Sequence, residues 1–163
     1  MTIFPVKFYE IEFQNSLKAL NEIKSRTIPK NIFISNWNNQ IFIGEVTNKQ
    51  FTVKLSKKIL GLFCTFHGKI ENEVVFLKIE FHRYTKTFFS LLFITILSLI
   101  PLSIILKQPD KFAGLLIHLL IIRYIYIELL FKFCSKKGLK ELKNINGFKS
   151  ITETNNFTEL TEK

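Results

Sequence analysis

Residues 87–106, TFFSLLFITILSLIPLSIIL, run for 20 positions without a charge. The core helix of a soluble domain normally keeps a polar stripe, and this segment has none. As a helix rising 1.5 Å per residue it is about 30 Å long, the thickness of a bilayer's hydrocarbon core. Fourteen of its residues are Leu, Ile or Phe. At roughly −0.3 to −0.6 kcal/mol each they favour insertion by about 4–8 kcal/mol, less what Ser90, Thr95, Ser98, Pro101 and Ser103 subtract. The segment is expected to cross a membrane.

A short polar stretch, 107–111, follows with a Pro109-Asp110 turn signal. Residues 112–131, FAGLLIHLLIIRYIYIELLF, are apolar again but carry His118, Arg123 and Glu128. A central Arg costs about 2.5–3.5 kcal/mol on insertion, so this helix should enter the bilayer leaning on the first. The short connection predicts a transmembrane helical hairpin over 87–131. Counted outward from Pro109, Arg123 lies level with Thr95 and close to Ser98, and Glu128 level with Ser90. These five positions are expected to form an interhelical polar seam or, alternatively, a contact for a partner helix or a second copy of the chain. His118, alone on an apolar face, reads as packed.

Charge sets the orientation. Lys and Arg number 23 against 13 Asp and Glu, a formal net charge of +10. Arg83 and Lys86 precede the first apolar segment, and Lys132, Lys136, Lys137, Lys140 and Lys143 follow the second. The connection holds Lys107 and Lys111 around Asp110. Positive charge marks the cytoplasmic side, so both termini are expected there. The five lysines are expected to contact anionic lipid, each contributing on the order of 1 kcal/mol near an anionic leaflet. This accounts for the basic pI of about 9.6 without nucleic acid, and a positive mean hydropathy of +0.20 is rare in a nucleic-acid module.

Residues 1–86 read as a small cytoplasmic α+β domain, a helix plus an antiparallel sheet. Lys7, Glu10, Glu12 and Lys18 interrupt the first 20 residues, so no cleavable signal peptide is expected. Tyr9, Ile11 and Phe13 alternate with Glu10 and Glu12 as a half-wet strand. Asn15 can cap a helix carrying Leu17, Leu20 and Ile23. After an Asn-rich turn at 36–39, strands are expected at 41–46, 51–55, 63–70 and 74–82, the last two joined around Asn72. In the last strand Val75, Leu77, Ile79 and Phe81 share one face. Residues 132–147, with Leu139, Leu142 and Ile145 at helical spacing, read as a short basic interfacial helix. Residues 148–163 are polar without a sustained period and are expected to be disordered.

Little chemistry is legible. Cys64 and Cys134 lie 70 positions apart and form neither a disulfide framework nor a CxxC pair. Cys64 and His67 would point to opposite faces of a strand. No zinc set, phosphate-binding loop or hydrolase motif occurs, and no nucleophile, base and orienting group are forced together. Catalytic residues, a metal and a cofactor are not expected. Only Glu80 and His82 could be named as an acid or base near the interface.

The runs Phe42, Ile43, Gly44, Glu45, Val46, then Phe51, Thr52, Val53, then Gly68, Lys69, Ile70, leading by alternation into an apolar helix, resemble a pattern in uncharacterised bacterial membrane proteins. Residues 58–64 stand where that pattern has an Arg-Asn-Ser-aromatic stretch and a proline. The resemblance covers the layout of about residues 6–145. It implies a short α+β domain followed by two transmembrane helices in the cytoplasmic membrane, and no activity. Two functional classes fit: a membrane protein presenting a small binding domain at an anionic surface, or an accessory subunit of a transport complex that meets its partner through the charged second helix.

Overall fold

The computed structural model describes residues 3–28, 40–56, 60–71, 74–105 and 109–154. The Asn-rich turn at 36–39, the turn around Asn72, positions 107–108 and the tail 155–163 lie outside them. Seven strands form one sheet in the order β2-β3-β4-β5-β6-β1-β7. They are β1 Val6–Phe13, β2 Thr27–Ile28, β3 Phe42–Val46, β4 Gln50–Leu55, β5 Cys64–Glu71, β6 Val74–Phe81 and β7 Phe148–Thr154. Every neighbouring pair is antiparallel except β2 and β3.

The alternation of β6 sets which face is buried. Val75, Leu77, Ile79 and Phe81 are covered, and across the ladder Ile11 pairs with Val75 and Tyr9 with Leu77 on the same face. Two helices do the covering. Helix α1, Ser16–Ser25, starts at Asn15, whose side chain accepts from the Lys18 N–H at 2.9 Å. It buries Ala19, Leu20 and Ile23, while Leu17, expected on that face, is exposed. It carries the chain from β1 to β2 at the opposite edge, touching β1, β2 and β3.

The second cover is α4, Glu128–Lys143, which lies on β5. It is the far end of a helix that runs from 109 to 143 without a break. Its first part is α3, Pro109–Ile121, followed by a π-helical turn, Ile122–Ile127. Pro109 stands at the first helical position, where its missing N–H leaves nothing unpaired. Helix α2, Arg83–Ile105, begins one residue after β6. Two helical spans are long and apolar enough to cross a membrane, Arg83–Pro101 and Phe112–Lys143. Helices α2 and α3 touch each other, yet Phe88, Leu91 and Ile94 each keep 60% or more of their surface exposed.

Two sequence expectations need correcting. Residues 132–143 are not a separate interfacial helix. They belong to α4, and the apolar positions Leu142 and Ile145 are spent on the sheet rather than left for lipid. Residues 148–154 are not disordered. They form β7 on the free edge of β1, with Ile151 opposite Ile11 and Phe148 opposite Phe13. Gly147, at φ 82°, makes the turn that brings them back, and its carbonyl accepts from the Gln14 N–H at 2.8 Å. The α+β domain is thus built from both ends of the chain, not from residues 1–86 alone.

Helix α4 reaches the sheet through a glycine. A Cβ at Gly138 would stand 2.0 Å from Cζ of Phe66, a ring that is fully buried and has nowhere to go. Above it Phe131 packs on Phe81 with ring centroids 5.3 Å apart. Gly138→Val is therefore expected to lower stability by about 1–3 kcal/mol or prevent folding. Gly114 in α3 has nothing within 4 Å of its would-be Cβ, so Gly114→Ala should be neutral or stabilising by up to about 1 kcal/mol. Thermal unfolding of the two variants in the same detergent checks the contrast. Equal destabilisation would contradict the packing.

Candidate functional site

Helix α4 carries two stripes. Phe131, Cys134, Ser135, Gly138 and Leu142 recur at three- and four-residue spacing and are buried on the sheet. Lys132, Lys136, Lys140 and Lys143 recur at three- and four-residue spacing one or two positions past the buried ones, so they stand as a row beside the docked face. The row borders a groove between α4 and the β1–β7 edge, with a volume of about 1060 Å³. Lys7 and Lys137 also line it, over a floor that includes Tyr9, Leu139 and Ile151. Among the described residues its one acid is Glu153, which already accepts from Lys7 Nζ at 2.7 Å. That hydrogen bond raises the Lys7 ammonium above the ordinary lysine range, so it stays charged. The lysines expected to meet anionic lipid are thus gathered on one built surface.

The polar residues of the two apolar helices sort differently. Arg123 and Glu128 are five apart, a spacing that puts side chains on different faces of an α-helix. The π turn over 122–127 closes i to i+5 and sets them within reach, Arg123 Nη1 to Glu128 Oε2 at 3.7 Å. Lys132 Nζ also stands 3.7 Å from Glu128 Oε1, and the guanidinium lies 5.5 Å from the Tyr124 ring centroid. On α2, Thr95 donates to the Leu91 carbonyl at 2.9 Å and Ser98 to the Thr95 carbonyl at 2.7 Å, both within their own helix. Ser90 is half-buried. His118 is exposed and bonds the Gly114 carbonyl of its own turn.

The sheet face opposite the helices holds a second polar group. Glu80 on β6 meets Lys86 Nζ at 2.9 Å, Lys78 Nζ at 3.3 Å and His67 Nε2 at 3.4 Å. Thr52 Oγ1 lies 3.2 Å from His67 Nδ1. His82 and Arg83 share a hollow of about 410 Å³ with Glu80 and His67. Burial pushes the Glu80 carboxyl up, but Lys86 and Lys78 pull it down by more, leaving it below the usual range. Burial likewise holds His67 below its ordinary value, with Lys78 assisting and Glu80 opposing. Cys64 does point away from His67, as strand geometry requires. The fold brings it instead to Cys134, and contact with that thiol together with burial pushes Cys64 well up. No sequence signal announced this pair, because β5 and α4 are far apart in the chain. Among the described residues no three His, Cys, Asp or Glu stand together as a metal set.

No protein family, curated protein or solved structure compared with the chain matches it. The layout resemblance drawn from 42–46, 51–53 and 68–70 gains no support from them.

Both His67 and Glu80 bind a proton less readily folded than unfolded, so their contribution to stability is whole above the unfolded values of 6.5 and 4.5. It drains as pH falls below each. The melting temperature should therefore drop in two stages on acidification. His67→Gln should remove the upper stage. Glu80→Gln should remove the lower and enlarge the upper, since Glu80 opposes the His67 shift. A melting curve without pH dependence between 7 and 4 would contradict this. For the π turn, Glu128→Gln should destabilise the protein by taking away the carboxylate that faces Arg123. The double change Arg123→Leu with Glu128→Leu should cost less than the sum of the singles, with a coupling on the order of 1–3 kcal/mol in a double-mutant cycle.

Proposed function

We propose that this chain is an integral membrane protein in which α2 and the helix that runs from α3 through the π turn into the start of α4 cross the bilayer as a helical hairpin and hold a small α+β domain on the cytoplasmic face, against anionic lipid. The observation that carries the reading is where the apolar surface lies. Helices α2 and α3 leave rows of Leu, Ile and Phe exposed, including Leu97, Leu116, Ile117 and Leu120. A soluble monomer rarely presents so extended an apolar surface to water.

Attachment to the sheet supports the hairpin. The start of α2 is tied to the domain: Phe89 packs near Phe81, and Thr85 Oγ1 donates to the Leu62 carbonyl. The end of the second helix is tied to the same domain through α4. Both spans therefore have their sheet-bound ends on one side, and the end of α2 and the start of α3 fall on the other. The span Phe112–Lys143, 32 residues, would be about 48 Å long, against a hydrocarbon core of about 30 Å. The surplus is the part of α4 that docks on the sheet. Arg83, Lys86 and the α4 lysines favour the cytoplasmic side for the domain. Arg123 finds Glu128 within its own helix, which favours this reading over an accessory subunit that offers Arg123 to a partner's charge.

Topology tests the proposal. The native cysteines are buried, so a cysteine at Asn48 in the β3–β4 turn or at Gln108 can be read against the wild-type chain. In intact cells an impermeant thiol reagent should label Gln108→Cys and spare Asn48→Cys until the membrane is opened. Labelling of Asn48→Cys alone would place the domain outside. Release of the protein by alkaline carbonate would remove the membrane reading altogether.

A further inference from the structure

We infer that the groove between α4 and the β1–β7 edge binds a single lipid whose headgroup carries more than one phosphate and extends outward from the bilayer. The inference rests on the reading of the two apolar helical spans as membrane-crossing and gives the anionic surface a specific ligand.

Strand directions place the groove's mouth. Strand β6 runs toward α2, so its Phe81 end faces the proposed membrane. Strand β1 is antiparallel, with Val6 opposite Glu80, and brings Lys7 to that end. Strand β7 is antiparallel to β1 and brings Glu153 beside Lys7. Lys132 stands there too, directly after the apolar run of the second helix. The other α4 lysines recede from it. Lys143, eleven residues on, lies about 16 Å farther along the helix. The headgroup layer on each side of the bilayer is only about 5–7 Å deep. An ordinary phosphodiester lipid would meet Lys7 and Lys132 and leave the rest of the row unmatched. A head bearing further phosphates beyond that layer would match Lys136, Lys140 and Lys143 as well.

The groove is charged for such a ligand. Among the described residues, six lysines line it against one glutamate, which Lys7 already holds. Among the described residues no carboxylate pairs with Lys136, Lys140 or Lys143. Phe133 is exposed beside the mouth, with the Lys137 ammonium 6.0 Å from its ring centroid. It offers the lipid's glycerol and first methylenes an apolar wall. Multiple phosphates facing several lysines form charge-assisted hydrogen bonds that a single phosphodiester lacks.

The test uses the full chain in phosphatidylcholine nanodiscs doped with phosphatidylinositol bisphosphate or with phosphatidylglycerol at matched total charge, read by native mass spectrometry. One bisphosphate lipid should stay bound per protein, and phosphatidylglycerol should be retained at least tenfold less. The triple change Lys136→Gln, Lys140→Gln, Lys143→Gln should cut bisphosphate retention at least tenfold, with circular dichroism and melting temperature confirming the fold. Lys54→Gln, on the opposite face of the sheet, should leave retention unchanged. Equal retention of the two lipids, or an unaffected triple variant, would overturn the groove while leaving the membrane reading intact. Displacement of the lipid by equimolar soluble diphosphate would show a phosphate pocket that does not read lipid. Failure of the wild-type chain to enter the discs would instead sink the membrane proposal itself.

Discussion

The contact between Gly138 and the Phe66 ring holds the rest of the structure together. It lets the α4 backbone lie directly on β5. The same docking then buries Phe131 against Phe81, brings Cys134 to Cys64, and closes the sheet's apolar face beside α1. Because α4 continues α3, this one contact also fixes where the long apolar helix stands relative to the sheet. A side chain at 138 would lift that helix off β5 and separate the two halves of the fold. The groove exists for the same reason: with the helix axis this close to the sheet, residues one position past the docked stripe come to its rim.

The π turn reconciles two demands made on one helix. The part before it touches α2, and the part after it must turn Phe131, Cys134 and Gly138 to the sheet. A regular α-helix advances about 100° per residue, so its two apolar stripes keep a fixed angular relation. A π turn takes in an additional residue and shifts that relation, giving the second stripe a new direction without breaking the helix. The shift also explains an ion pair at a spacing that a sequence reader does not look for. In the sequence Arg123 and Glu128 read as costly charges in an apolar run, to be matched by α2 or by a partner helix. The local geometry lets them match each other.

What the sequence made legible follows the strength of each periodic signal. The charge-free run 87–106 lies almost wholly within α2, Arg83–Ile105, because 20 charge-free and mostly apolar residues admit few alternatives. The alternation in β1 and β6 and the Asn15 cap are local patterns, and they appear where expected. Strand β7 was missed because an edge strand needs few apolar residues. Phe148 and Ile151 suffice once β1 supplies the other side of the ladder, and β1 lies more than 130 residues away. Residues 132–147 showed a helical period, but period alone does not say whether the apolar stripe meets lipid or protein. The Cys64–Cys134 contact and the groove share that cause. Both depend on β5, β1 and β7 meeting α4, and long-range pairings leave no mark in any single window of sequence.

The lysine row has an energetic consequence of its own. Like charges four apart on a helix face destabilise it by a few tenths of a kcal/mol per pair, and Lys132, Lys136 and Lys140 make two such pairs in succession. Glu128 offsets the first member and Glu153 is taken by Lys7. Elsewhere on the domain, cations are interleaved with acids: Lys69 with Glu71, and Lys78 and Lys86 with Glu80. The contrast lies between two surfaces of one small domain under the same composition. On the open sheet face the fold neutralises its charges internally. Along α4 it leaves them facing a groove in which, among the described residues, Glu153 is the one acid. Salt screening over about 8 Å at physiological ionic strength eases the repulsion only in part. An anion seated in the groove, as proposed, would relieve the remainder and so favour the docking of α4.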